Sequence, residues 1–279
     1  MKNLSERALL VNLTISQWGA RKYDKSVSRE IEKEHNAHNA GRYNKILIAE
    51  NELSEIQKIA SGARSFLYDN TLPWGDNGDR LLPSTNYFEF VNQFRAFKSS
   101  FEVAASNFIS QYPVLKEDAR RRLNGMFRET DYPAAAVIRS KFNIEITFLP
   151  IPDSTDFRLQ INEEEVSHLR TQIETEINSR ITHATKNIWT RIKDAVGHMV
   201  EKLSVKDAVF RDTLVTNIQE LVDILPRLNF TNDKDITAVI DSMKTLLIHP
   251  DALRKNATIR NQKAEEAKAI LDKINDFFD

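Results

Sequence analysis

The stretch that decides the fold runs from Asn162 to Leu203 and reads NEEEVSHLRTQIETEINSRITHATKNIWTRIKDAVGHMVEKL. Within it an apolar residue recurs every three or four positions, eleven times in succession. This spacing is typical of one face of an α-helix, and it is closer to an eleven-residue repeat than to a heptad. The sequence therefore predicts one helix of about 65 Å, at about 1.5 Å per residue, with an apolar face that needs partners. The stripe consists of Val166, Leu169, Ile173, Ile177, Ile181, Ala184, Ile188, Ile192, Ala195, Met199 and Leu203.

Three further helical patterns follow this stretch and could cover its apolar face. They occupy residues 209–225, 236–247 and 252–278, and the first two end at Pro226 and Pro250, where proline is incompatible with a continuing helix. We therefore predict an elongated antiparallel helical bundle or coiled coil in residues 156–279.

The first part of the chain, residues 1–155, has a mixed pattern. Residues 11–16 and 144–148 alternate between apolar and polar positions, as half-buried strands do. We expect the two strands to pair in a small two-stranded sheet, packed on helices that include an aromatic stripe from Phe90 to Tyr112. The predicted fold class is therefore mainly α (α+β), with a helical head and a long-helix arm separated near Pro150 and Pro152.

Composition excludes several classes of function. The chain has 279 residues, 39 Lys and Arg against 40 Asp and Glu, no cysteine and only 7 glycines. Disulfides, thiolate metal sites and cysteine catalysis are thereby excluded. No segment has the roughly 18 to 20 apolar residues of a membrane span, and the N-terminus lacks the pattern of a signal peptide. We expect a cytoplasmic protein without cofactor, metal or catalytic activity.

A basic cluster is the first candidate site. It comprises Arg120, Arg121, Arg122 and Arg128, and it has acidic neighbours on both sides. Such a cluster is able to bind the phosphates of a nucleic acid. A solvated helix face with local ion pairs is the interpretation that the neighbouring acidic residues favour.

A loop between prolines is the second candidate site. Its residues Trp74, Asp76, Asp79 and Arg80 could bind a partner, although Asn-Gly turn chemistry explains the loop equally well, and Trp74 is better interpreted as a plug on the core. A third hypothesis is a metal-dependent enzyme centred on His35 and His38, which are spaced i and i+3. That pair would need at least one further ligand.

Four short motifs carry a resemblance to a known family. They are ISQWGARKYD at residues 15–24, LPWG at 72–75 with RLLP at 80–83, DYP at 131–133, and PIP at 150–152 with DFR at 156–158. Over residues 9–205 the chain resembles a family of uncharacterised proteins of tailed bacteriophages and prophages, whose members are often encoded near a MoxR-type AAA+ ATPase. The resemblance implies a phage protein in the bacterial host cytoplasm, and it implies no catalytic residue.

Two functions from different classes follow from these observations. The first is a non-catalytic phage protein that binds another protein, either as an adaptor of an AAA+ ATPase or as an inhibitor of a host or defence complex, with the long helix as docking or oligomerisation arm. The alternative is a nucleic-acid-binding protein that uses the face formed by Arg120–Arg122.

Overall fold

The structure of the protein is a computed structural model that describes residues 4–152, 162–205 and 209–275. In these ranges six strands form two sheets. A four-stranded sheet has the order β4-β5-β1-β6, and β2 pairs with β3 in an antiparallel two-stranded ribbon. The strands are β1 (Ala8–Ser16), β2 (Arg21–Tyr23), β3 (Asn44–Ile46), β4 (Leu72–Pro73), β5 (Arg80–Pro83) and β6 (Asn143–Leu149).

Helices account for most of the same ranges, so the mainly α fold with a small antiparallel sheet is confirmed. The α-helices are α1 (Lys25–Glu34), α2 (Ser54–Asn70), α3 (Tyr87–Leu123), α4 (Ala135–Arg139), α5 (Glu163–Ser204), α6 (Thr213–Leu228), α7 (Lys234–Lys244), α8 (Pro250–Lys255) and α9 (Ala257–Asn275). The long helix α5 begins one residue later than the predicted stretch and ends one residue beyond it. The prediction that the next helix ends at Pro226 is wrong, because α6 continues to Leu228 with Pro226 in its last turn. The pattern predicted over 252–278 is divided between α8 and α9.

The larger sheet contains more strands than we predicted. β1 and β6 are neighbours, as expected, but β5 also pairs with β1, and β4 pairs with β5. The region 72–83 was predicted as a loop because it combines two prolines with an Asn-Gly turn. Its strands are only two and four residues long, and Pro73 lies in an edge strand, the position where a missing N–H is tolerated.

The chain divides into two compact units that are not consecutive in sequence. One unit comprises residues 1–12, 67–90 and 147–279, and the other comprises residues 13–66 and 91–146. The predicted boundary at residue 155 and the motif at 156–158 lie outside the described residues. The observed partition differs from a division at residue 155 because segments of the first half belong to both units. Composition marks stretches of chain, whereas compact units depend on contacts between distant segments.

In the first unit, α5 provides one wall of an apolar core that it shares with α6, α7 and α9. Asn162 caps the helix, with its side chain accepting a hydrogen bond from the Glu165 N–H at 2.8 Å. Three glutamates in the first turn interact favourably with the positive end of the helix dipole and stabilise the start of α5. From Ile181 onward the predicted stripe is buried, apart from Ala195, which is partly buried.

In the second unit, the aromatic stripe of α3 forms a core. Phe94, Phe101, Phe108 and Tyr112 are buried. Trp18 packs against this stripe, with its ring centroid 5.8 Å from that of Tyr112.

Candidate functional site

The predicted basic face makes extensive contacts within its own unit. The Arg120 guanidinium pairs with Glu117 at 3.3 Å and with Glu129 at 2.8 Å. It also lies over the Phe127 ring, 4.5 Å from the centroid, a geometry that adds a cation–π attraction. Arg120 therefore orders the segment that follows α3.

The other three arginines of the predicted face also have intramolecular partners. Arg122 donates to the backbone carbonyls of Ile46 and Leu47 at 2.8 and 3.2 Å. Arg128 donates to the Ser26 hydroxyl at 3.0 Å, and Arg121 pairs with Asp118 on its own helix. Since the side chain of Arg121 is 78% exposed, it is the member of the cluster with the most freedom to meet a ligand.

The predicted partner-binding loop is mostly tied to its own unit. Trp74 is only 5% exposed and belongs to the apolar core, as the plug interpretation expects. Asp79 accepts hydrogen bonds from the side-chain amides of Asn12 and Asn77, at 2.9 and 2.8 Å. Asp76 is exposed to solvent.

Arg80, the last residue of that loop prediction, helps to complete the end of α2. Its Nε donates to the Thr71 hydroxyl at 2.6 Å, and Arg191 donates to the carbonyls of Tyr68, Asp69 and Thr71 at 2.7 to 2.8 Å. Burial, together with the nearby Arg191 charge, lowers the pKa of Arg80 to about 10. Two cations at a helix C-terminus satisfy carbonyls that have no partner within the helix.

A buried lysine that sequence analysis did not single out forms an enclosed charged site. Lys45, on β3, has a side chain that is 1% exposed. Its ammonium lies 3.0 Å from Asp24 Oδ2 and 2.8 Å from Asp131 Oδ2, and it donates to the Met126 carbonyl at 2.9 Å. The ammonium donates hydrogen bonds to Asp24 and Met126, and its charge is also paired with Asp131. In β3 the lysine is buried and its neighbours Asn44 and Ile46 are exposed, the opposite of what the polarity of these residues predicts, so no local signal indicates the burial of Lys45.

The charges of this site are fixed by hydrogen bonds. Asp24 caps α1, and the hydrogen bond from the Ser26 hydroxyl, followed by the one from Lys45, holds the pKa of Asp24 well below its usual value. Burial alone would lower the pKa of Lys45, but its hydrogen bonds with Asp131 and Asp24 outweigh that effect and raise it. Lys45 therefore stays protonated and serves as a structural cation rather than a nucleophile.

An open cleft beside β2 and β3 is a second feature that sequence analysis missed. It has a volume of about 310 Å³. The buried side chains of Ile48 and Leu53 belong to its apolar part, while Arg21 and Glu50, which pair at 2.5 Å, are both more than half exposed. The lining residues are Gly19, Arg21, Ile46, Ile48, Glu50, Leu53 and Gln57.

The first half of α5 carries the same stripe as the second half but buries it less. Val166, Leu169, Ile173 and Ile177 are only partly buried, in contrast to the residues from Ile181 onward. Residues 163–177 contain five glutamates and one arginine, a net charge of −4 without the histidine. The segment is therefore an acidic helix with an incompletely covered apolar stripe.

Two other hypotheses concern metals and membranes. His35 and His38 are both exposed at the end of α1, and within residues 4–152, 162–205 and 209–275 no group of three or more ligating side chains is placed to hold a metal. None of the helices that the structure describes is long and apolar enough to cross a membrane.

Comparisons with known proteins do not assign a class to this fold. No family model matches the chain, and no curated protein and no solved structure is similar to it.

Proposed function

We propose that this chain is a non-catalytic phage protein that acts in the cytoplasm of the bacterial host by binding another protein, as an adaptor of an AAA+ ATPase or as an inhibitor of a host or defence complex. The observation that supports this proposal is the incompletely buried apolar stripe on residues 166–177 of α5. Phage origin and the ATPase rest on the family resemblance of the motifs.

The energetics of the stripe favour a partner. Covering apolar surface contributes roughly 25 cal/mol per Å², so a partner helix laid along four half-buried aliphatic side chains would gain several kcal/mol before the costs of association. Anchors at positions i, i+3, i+7 and i+11 are typical of helix-to-helix recognition. The docking arm is therefore the first half of α5.

The negative charge of the docking arm favours a basic partner over a second copy of the same chain. With five glutamates and one arginine on residues 163–177, a second copy of the same segment would bring like charges together in either orientation. An amphipathic helix with basic flanks would instead be attracted. The proposal therefore favours a different protein, with a basic docking helix, over a homo-oligomer.

The alternative, nucleic-acid binding by the face formed by Arg120–Arg122, has weaker support. It requires Arg120, Arg121 and Arg122 to meet phosphates, but each of them has a partner within the chain. In this alternative, Arg121→Ala should weaken binding of an oligonucleotide at low salt.

The test is affinity purification of the tagged full chain from phage-infected cells after nuclease treatment. The double variant Leu169→Glu/Ile173→Glu should lose a stoichiometric protein partner that the wild type retains, because two charges would enter the apolar contact. The control Gln172→Glu/Thr175→Glu adds the same charge at exposed positions and should keep the partner. Equal recovery of the partner by both variants would exclude the docking arm. Recovery that is seen only without nuclease and is lost in Arg121→Ala would favour the alternative.

A further inference from the structure

The outer face of the β2–β3 ribbon combines cationic and aromatic side chains. The register pairs Arg21 with Ile46 and Tyr23 with Asn44, and residues directly opposite one another share a face. The buried Lys45 alternates to the other face. Tyr23 is 43% exposed and Ile46 is 36% exposed, so the face offers an aromatic ring and an aliphatic side chain to solvent.

Two cations lie on or beside this face. The Arg42 guanidinium is 5.6 Å from the centroid of the Tyr23 ring, and Arg21 is 58% exposed. Lys22 pairs with Lys45 in the register and therefore lies on the other face of the ribbon. Proteins that bind single-stranded nucleic acid combine aromatic side chains, on which bases stack, with cationic side chains, which contact the phosphates. This face has both.

The cleft continues this face, since Arg21 and Ile46 belong to both. Its volume of about 310 Å³ is at the small end of ligand pockets, which suits a single planar group. Apolar side chains would contact the faces of such a group. Arg21, Glu50 and Gln57 offer donors and acceptors to its edge, and a nucleobase edge has both.

We infer that the β2–β3 ribbon and the adjoining cleft bind single-stranded nucleic acid. One base stacks on Tyr23, a neighbouring base enters the cleft toward Glu50 and Gln57, and Arg42 neutralises a phosphate. An acidic peptide fits less well because the side chain that entered the cleft would bring a carboxylate to Glu50, whereas a nucleobase is uncharged. A duplex fits less well because its bases are stacked and cannot enter without flipping. This activity is independent of the docking arm on α5.

The experiment measures fluorescence anisotropy of a labelled single strand of about a dozen nucleotides against the full chain. With Arg42 on one phosphate, binding should weaken about threefold between about 50 and 200 mM salt. Tyr23→Ala should weaken binding about tenfold, as the loss of one stacked base does. The same sequence as a duplex should bind more weakly than the single strand.

A substitution at the cleft tests its contribution to binding separately from that of the ribbon. Gly19 lines the cleft, and a Cβ built on it meets nothing within 4 Å. Gly19→Leu therefore adds apolar bulk at the cleft without a clash at Cβ and should reduce binding about tenfold, by removing one base contact. The matched control is Gly125→Leu, since the space around Gly125 is equally open.

A second control tests whether charge alone is responsible. Arg95 is exposed on α3, about 40 Å along the helix from Arg122, at about 1.5 Å per residue. Arg42→Ala should weaken binding severalfold and Arg95→Ala should not, with circular dichroism to establish that each variant is folded. No binding at low salt, equal effects of the site and control variants, or equal binding of a labelled oligoglutamate would overturn the inference.

Discussion

The two compact units bury different kinds of side chain. The core shared by α5, α6, α7 and α9 consists of aliphatic and aromatic residues. The unit that contains β2 and β3 has an apolar core too, but it also buries the charged side chains of Lys45 and Asp24. In an apolar core, truncation of a side chain lowers the free energy of unfolding by an amount that grows with the apolar area lost and the cavity left behind. A buried ion cluster depends on every partner, because each charge left alone keeps its full cost of desolvation. Stability in the two units should therefore respond differently to substitution and to pH.

Lys45→Met should have the largest effect on stability. It removes the cation between Asp24 and Asp131 and leaves two carboxylates without it, which costs about 4 kcal/mol in the free energy of unfolding. Hydrogen exchange followed by mass spectrometry should show faster exchange in residues 20–48. Lys22→Met, at the paired position of the ribbon but exposed, is the control and should change stability little. An unchanged free energy of unfolding in Lys45→Met would mean that the ion cluster contributes nothing.

Ile192→Ala should have the next largest effect. Ile192 is 0% exposed in the core around α5, and removal of a buried isoleucine side chain beyond Cβ costs about 3 kcal/mol. Chemical denaturation should give the change in free energy, with increased exchange in residues 181–203. Faster exchange confined to residues 20–48 would contradict the separation of the two cores.

Acidification should weaken the ion cluster by less than Lys45→Met does, because a protonated carboxyl can still form hydrogen bonds. The pKa of Asp24 is lowered in the folded chain. Its contribution to stability is therefore present above its unfolded value of about 3.9 and is lost as the pH falls toward the folded value. Urea unfolding from pH 7 down to pH 2 should show this loss in the wild type.

Asp24→Asn provides the control for that titration, since it removes the ionisable group and should flatten the acid dependence. The raised pKa of Lys45 predicts that stability is also lost at high pH. Its contribution is complete below about 10.4 and is lost as the pH rises above that value. A pH profile identical in the wild type and Asp24→Asn would show that other carboxyls determine the acid limit.

Ile173→Ala should have the smallest effect. Ile173 belongs to the same stripe as Ile192 but is only partly buried, so its truncation should cost less than about 1 kcal/mol in the free energy of unfolding. The same denaturation experiment compares the two variants directly. A cost equal to that of Ile192→Ala would mean that the first half of α5 is already covered, and the proposed docking arm would lose its basis.

Local patterns were sufficient for the long helix and for two strands. The apolar stripe set the bounds of α5 to within one residue, because helix periodicity involves near neighbours in the chain. Alternation identified β1 and β6 for the same reason. The short strands β4 and β5 were missed because pairing across the sheet, rather than local preference, makes residues 72–83 extended.

The sequence by itself determined the mainly α fold class, the bounds of α5 and the apolar identity of its stripe. Only the tertiary structure decided which part of that stripe is buried, which carboxylates surround Lys45, and which arginines of the predicted basic face have partners. Asp24, Lys45 and Asp131 are separated by tens of residues, and no local period relates them. The division is physical: secondary structure follows from interactions within a few residues, whereas ion clusters and clefts form where distant segments meet.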